Sequence, residues 1–195
     1  MRFLTLLSQL EKKYEGNIAF TDNQVRLLGL HEPPKIADHF LYAPIPNPVI
    51  QHLIQSYRRQ FPDELRELYA YVNGIDMFRT MQKISNAISL PASKISIYGV
   101  PILSDRKHIE PLNISLEDLD RCPGTPDSWL KFGCSREFCQ GAYAKEFDLY
   151  VDTDEGSAYR VERCRNSLLI ANEWQSIDDC LCNLFEMESS NWTFD

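Results

Sequence analysis

Phe61–Gly74 reads FPDELRELYAYVNG. It has a proline at the front, an Asn-Gly at the back and a regular stripe between. Pro62 suits the start of a helix, where no backbone N–H is needed. Asp63 and Glu64 suit the positive end of the helix dipole. Leu65, Leu68, Tyr69 and Val72 fall at i, i+3, i+4 and i+7 and predict one buried face. Asn73 and Gly74 predict a left-handed stop. No catalytic group stands beside this well-marked helix.

Working outward, Phe3, Leu6, Leu7, Leu10 and Tyr14 predict a first helix that ends at Gly16-Asn17. Residues 18–45 are less regular. NIAFTDNQVRLLGL predicts a short strand and a short helix, and the proline-rich HEPPKIADHF and APIPNP read as loop. Pro48–Gln60 predicts a second helix, with Val49, Leu53, Ile54 and Tyr57 inward. Beyond the opening stretch, Ile95, Ile97 and Tyr98 predict a strand kinked at Gly99. SLEDLDRC predicts a short helix capped by Ser115. WLKFGC predicts a strand. Residues 144–151 and 158–163 predict a hairpin around the Asp-Glu-Gly turn of Asp152–Ser157. NSLLIA predicts a last strand. SIDDCLCNLFEME predicts a closing helix with Ser176 as cap and Asp179 three residues on.

Helices followed by hairpin-linked strands, without βαβ alternation, give an expected α+β fold with a mainly antiparallel sheet and helices packed against it. The expected organisation is an N-terminal helical extension over 1–45 packed on the core, a domain over 46–188 and a tail over 189–195.

The 195-residue chain is 44% hydrophobic and 25% charged, which fits a folded protein. No apolar run approaches the length that spans a bilayer, and the N-terminus lacks the pattern of a cleaved signal, so no membrane association is expected. The six cysteines are expected as free thiols of a cytoplasmic protein. The net charge is −8. Residues 1–144 carry 16 basic and 16 acidic side chains, and residues 145–195 carry 4 and 12, so the whole imbalance sits in the last quarter. Phosphate binding needs a basic stripe, so direct nucleic-acid binding is not expected.

Chemistry-bearing constellations are absent from the sequence pattern. His31, His39, His52 and His108 do not stand at metal spacing from a cysteine. Cys134-x4-Cys139 and Cys180-x-Cys182 are not zinc pairs. Asp152–Gly156 starts like a calcium loop, but its glycine comes one position early and the twelfth position is Arg163 rather than Glu. Glu117-Asp118 and Asp178-Asp179 diverge by about 100 degrees on a helix and read as caps and solvated faces. No cofactor and no metal is expected. Trp174 and Trp192 read as core or as partner anchors.

FPDELRELYAYVNG resembles the signature of the SUKH superfamily, whose members carry a helix of the form Pro-x-x-Leu/Tyr-x-x-Leu/Phe followed by Asn-Gly. The matching residues are Pro62, Leu65, Leu68 or Tyr69, Asn73 and Gly74. YGVPIL, WLKFGC with Gly133, FDLYVDTDEGSAYRVER and LLIANEWQSIDDCLCNLF are similar to the family's later strands and closing helix. The resemblance covers roughly 48–187 and leaves out the first 45 residues. It implies a helix-on-sheet domain without catalysis, in which Pro62, Asn73, Gly74 and Gly133 are architecture. Many bacterial members are thought to be immunity proteins that neutralise toxin domains, often nucleases. The expected function is therefore protein binding, with a basic toxin domain as partner. The expected contact surface is the hairpin tip, Asp152, Asp154 and Glu155, with Tyr150, Tyr159 and Trp174 as anchors. A regulatory adaptor or scaffold that binds a cellular enzyme or signalling protein is the alternative, and a hydrolase using a carboxylate or cysteine is the third reading.

Overall fold

The helix at the centre of the opening stretch forms where its apolar stripe predicts. A computed structural model describes residues 1–21, 24–31, 36–57, 60–83, 89–99, 123–139, 142–163 and 167–191. In chain order these form α1 (Arg2–Lys13), β1 (Ile18–Phe20), β2 (Arg26–His31), β3 (Ile36–Leu41), α2 (Asn47–Ser56), α3 (Asp63–Tyr71), β4 (Ile75–Lys83), β5 (Ser89–Ile97), β6 (Trp129–Cys139), β7 (Ala142–Asp152), β8 (Ala158–Glu162), β9 (Leu169–Trp174) and α4 (Ile177–Asn191). The nine strands make one sheet in sequence order, and every neighbouring pair is antiparallel. The architecture is α+β, as the order of elements predicts.

The four helices share one core with one face of the sheet. Phe3 and Leu7 of α1, Ile50 of α2, Leu65, Leu68 and Tyr69 of α3, and Cys180 and Leu181 of α4 meet Leu28, Leu41, Ile75, Ile97, Phe132, Leu149 and Val151. Side chains alternate along a strand, so Asp148, Tyr150 and Asp152 of β7 point to the opposite face, away from the helices.

The helix starts are tied together by side chains from other helices. Glu64 of α3 accepts from the N–H groups of Ile177 at 3.0 Å and Asp178 at 3.2 Å, at the start of α4. Asp178 in turn accepts from the N–H groups of Arg2 and Phe3, both at 2.9 Å, at the start of α1. Burial works against ionisation of Asp178, yet the Phe3 and Arg2 N–H groups hold its carboxyl below the usual range. Asp178 is thus a cap, but for α1 rather than for its own helix. Ser176 Oγ accepts from the Asp179 N–H at 3.0 Å, the cap that the sequence spacing predicts. Asp178→Ala is expected to lower stability by about 1 kcal/mol in denaturant unfolding, the usual worth of a lost cap.

Three sequence expectations need correction. The described residues between 18 and 45 include β1, β2 and β3, which extend the same sheet, where a short strand, a short helix and a loop were expected. β4 follows the helix stop directly and was not foreseen. The stop itself uses Gly74 alone in the left-handed region, at φ +98°. Val72 is extended, and Asn73 is buried with its N–H donating to the Tyr42 carbonyl at 3.2 Å. Asn73 therefore starts the pairing with the β3 side of the sheet instead of turning the chain. The closing helix continues through Asn191. The predicted helix at Ser115, with Glu117, Asp118, His108, Cys122, Cys164 and Trp192, lies outside the described residues.

Gly133 is architectural for a specific reason. It follows a register shift in β6. A Cβ there would come within 2.5 Å of the Ser96 carbonyl oxygen and 3.1 Å of Ile97 Cδ1. Only glycine lets β5 and β6 approach this closely.

Candidate functional site

The acidic hairpin turn is held by a dense set of backbone bonds. The Asp152 N–H donates to the Ser157 carbonyl and the Gly156 N–H to the Asp152 carbonyl, both at 2.8 Å. Gly156 takes φ +84°, with open space around its Cα. Thr153 binds the Ser128 carbonyl twice, by its N–H at 2.9 Å and its hydroxyl at 2.7 Å. Asp152 Oδ1 accepts from the Asp154 N–H at 2.9 Å, and Asp152 Oδ2 accepts from Trp129 Nε1 at 3.2 Å. Asp152 is thus a brace for the turn, while Asp154 and Glu155 are exposed at its tip.

Beneath the tip lies a small aromatic cluster on the face away from the helices. The Trp129 and Tyr159 rings stack at 4.0 Å, and Tyr150 meets Trp129 at 5.9 Å. Val161 completes the cluster and Leu168 packs on it. Tyr150 is fully buried. Its assignment as a partner anchor is corrected: it supports the surface from behind. Tyr159 shows only 8% of its surface, at the border of the acidic group. Burial pushes the Tyr159 phenol up, a hydrogen bond with Ser157 opposes the shift, and Glu173, Asp152 and Glu155 add to it.

Glu173 enters through the β8–β9 register, which sets Tyr159 opposite Glu173 and Ala158 opposite Trp174. Trp174 is half-buried against the main core and lines an open groove of about 400 Å³ with Arg2, Glu173, Asp179, Cys182 and Glu186. Arg2 is taken up by Asp178 and Asp179. Among the described residues, Asp127, Asp154, Glu155, Glu173 and Glu186 meet no ion-pair partner. The structure therefore brings Asp152, Asp154, Glu155, Tyr159 and Trp174 to one end of the sheet. It adds Trp129, Asp127 and Glu173, which sequence reasoning missed.

Away from this end, polar side chains link strands across the face opposite the described helices. Tyr42 donates to Asp76, Ser96 donates to the same carboxylate, and Arg136 reaches Ser96 and Glu146. Arg163 joins Glu146 at 2.6 Å to Asp148 at 2.5 Å, and Lys131 reaches Asp148 at 3.0 Å. Cys134 lies beside this network, and burial pushes its thiol up, which suppresses the nucleophilic thiolate. Cys180 is pushed up by burial, and Cys182 to about 11 by the same cause. Cys134, Cys180 and Cys182 are free and buried.

Among the described residues no group of three or more His, Cys, Asp or Glu side chains is arranged to hold a metal ion, and no helix is long and apolar enough to cross a membrane. No protein-family model, curated protein or solved structure matches the chain.

Proposed function

We propose that this chain is a non-catalytic immunity protein of the SUKH type, which neutralises a basic, nuclease-type toxin domain by binding it. The observation that carries this reading is the braced turn that presents Asp154 and Glu155 exposed at its tip, with no ion-pair partner among the described residues. Carboxylates carried on a braced turn can occupy phosphate-binding positions of a nuclease. They also speed encounter with a basic surface. Because the turn is already ordered, little conformational freedom is lost on binding. The helix-on-sheet architecture and the resemblance of residues 48–187 support the same reading. The raised thiol of Cys134 supports a binding role over nucleophilic catalysis.

The test is co-purification with the product of the gene beside its own, followed by Asp154→Lys with Glu155→Lys. The double variant is expected to weaken binding by about tenfold or more and to flatten its salt dependence. Asp152 is left in place, because reversing it would also release Trp129 and the turn. Unchanged affinity and unchanged salt dependence would remove this surface from consideration.

A further inference from the structure

The sheet ends at β9, and the outer side of that strand has no hydrogen-bonded neighbour among the described residues. Residues Leu169–Glu173 are all exposed, with Leu169 at 50% and Ile170 at 45%. Edge strands are normally blunted by lysine, proline, brevity or a bulge. β9 has neither lysine nor proline over six residues, and its one irregularity is the register shift that skips Ala171 against β8. The opposite edge, β1, is only three residues long.

The two faces of this edge differ. Ile170 and Glu173 sit opposite Val161 and Tyr159, on the side away from the helices. Leu169 and Trp174 sit opposite Glu162 and Ala158, on the helix side, where the groove opens. A strand laid along β9 would therefore meet apolar and acidic groups on both faces. Glu173 and Glu186 meet no ion-pair partner among the described residues, and Asp154 and Glu155 stand at the same end. A second copy of this chain would bring the same carboxylates to the contact, and each copy carries a net charge of −8.

We propose that the outer edge of β9 takes up an extended segment of a basic partner protein as an added strand. Lysine or arginine side chains of that segment meet Glu173 and the carboxylates of the Trp174 groove, while its apolar residues cover Leu169 and Ile170. Main-chain hydrogen bonds supply the affinity, and the alternating side chains supply the selectivity. This docking mode does not require the partner to be a toxin. Its test is therefore separate from the charge reversal at Asp154 and Glu155.

The probe is a short peptide of alternating valine and lysine, added to the full chain at up to millimolar concentration. Amide hydrogen exchange is read residue by residue over 169–174. Exchange in β9 is expected to slow by about tenfold or more at saturation. A peptide of equal charge with proline in place of valine, or one with glutamate in place of lysine, is expected to give no protection. Leu169→Lys with Ile170→Lys is expected to weaken binding by about tenfold, with the cooperative thermal transition retained because about half of each side chain already faces solvent. Equal protection by the proline peptide would show attraction by charge alone and overturn the proposal. So would the absence of protection at millimolar peptide. Protection of β9 without peptide, in a chain that sediments as a dimer, would make the occupant a second copy and overturn it as well.

Discussion

Asp148→Asn is expected to lower the unfolding free energy by about 3–5 kcal/mol, read as a fall in the denaturant midpoint at constant slope. Asp148 has no exposed surface, and the Lys131 side chain that meets it at 3.0 Å is 8% exposed. The ammonium of Lys131 cannot reach water without leaving its place in β6. With the carboxylate gone, it stays buried and uncompensated, and that is the costly outcome. Asparagine keeps the shape of the site, so the loss reports charge and not a cavity. Arg163 is less affected, because it is 41% exposed and also reaches Glu146 at 2.6 Å. Replacing both charges, with Lys131→Met and Asp148→Leu, is expected to recover most of the loss, because no charge is then left stranded. An Asn variant within about 1 kcal/mol of the parent would show that the pair is not paying a desolvation cost in the folded state.

The same strands show what could be read from the sequence and what could not. The hairpin was legible because its Asp-Glu-Gly turn lies between two runs rich in β-branched and aromatic residues. α4 was legible through Ser176 and its apolar spacing, and α3 through Leu65, Leu68 and Tyr69. β4 was hidden because its alternation breaks: Met77 and Phe78 are consecutive and both buried, with Phe78 in the left-handed region at φ 51°. β2 was hidden similarly, since Gly29 takes φ +68° in the middle of an apolar run that reads as easily as helix. The acidic tip could be named from turn chemistry, but its surroundings could not. Trp129 lies under Tyr159, and Glu173 beside it, only through the β6–β7–β8–β9 register. Tyr150 alternates correctly with its neighbours, yet sequence alone does not say which face of β7 is covered. Arg2 and Asp178 meet across almost the whole chain, a contact that no local pattern encodes.

Between pH 7 and pH 5 the protein is expected to lose about 2 kcal/mol of stability through His39 alone. His39 has no exposed surface and packs edge-on against Tyr14 at 5.5 Å and Phe78 at 5.1 Å. Its Nδ1 accepts from the Phe78 N–H at 3.2 Å, so the neutral ring carries its proton on Nε2, which lies 3.4 Å from Tyr14 Oη. Tyr14 donates onward to Asp38 Oδ2 at 2.9 Å. A second proton would have to sit on Nδ1, facing a donor. Burial pushes His39 down to about 3, and Lys13 adds to the shift. The unfolded chain takes up that proton near the ordinary histidine value of about 6.5, while the folded chain does not. Above that value neither state is charged and stability is unaffected. As pH falls below it, the unfolded state gains a proton and is favoured, and the loss grows by about 1.4 kcal/mol per unit. His39→Gln keeps an acceptor for the Phe78 N–H and a donor for Tyr14 but cannot take up the proton. It is expected to cost some packing at pH 7 and to remove most of the slope between pH 7 and pH 5. Parallel stability curves for parent and variant over that window would mean that His39 is protonated to the same extent in both states, against the burial that holds it neutral.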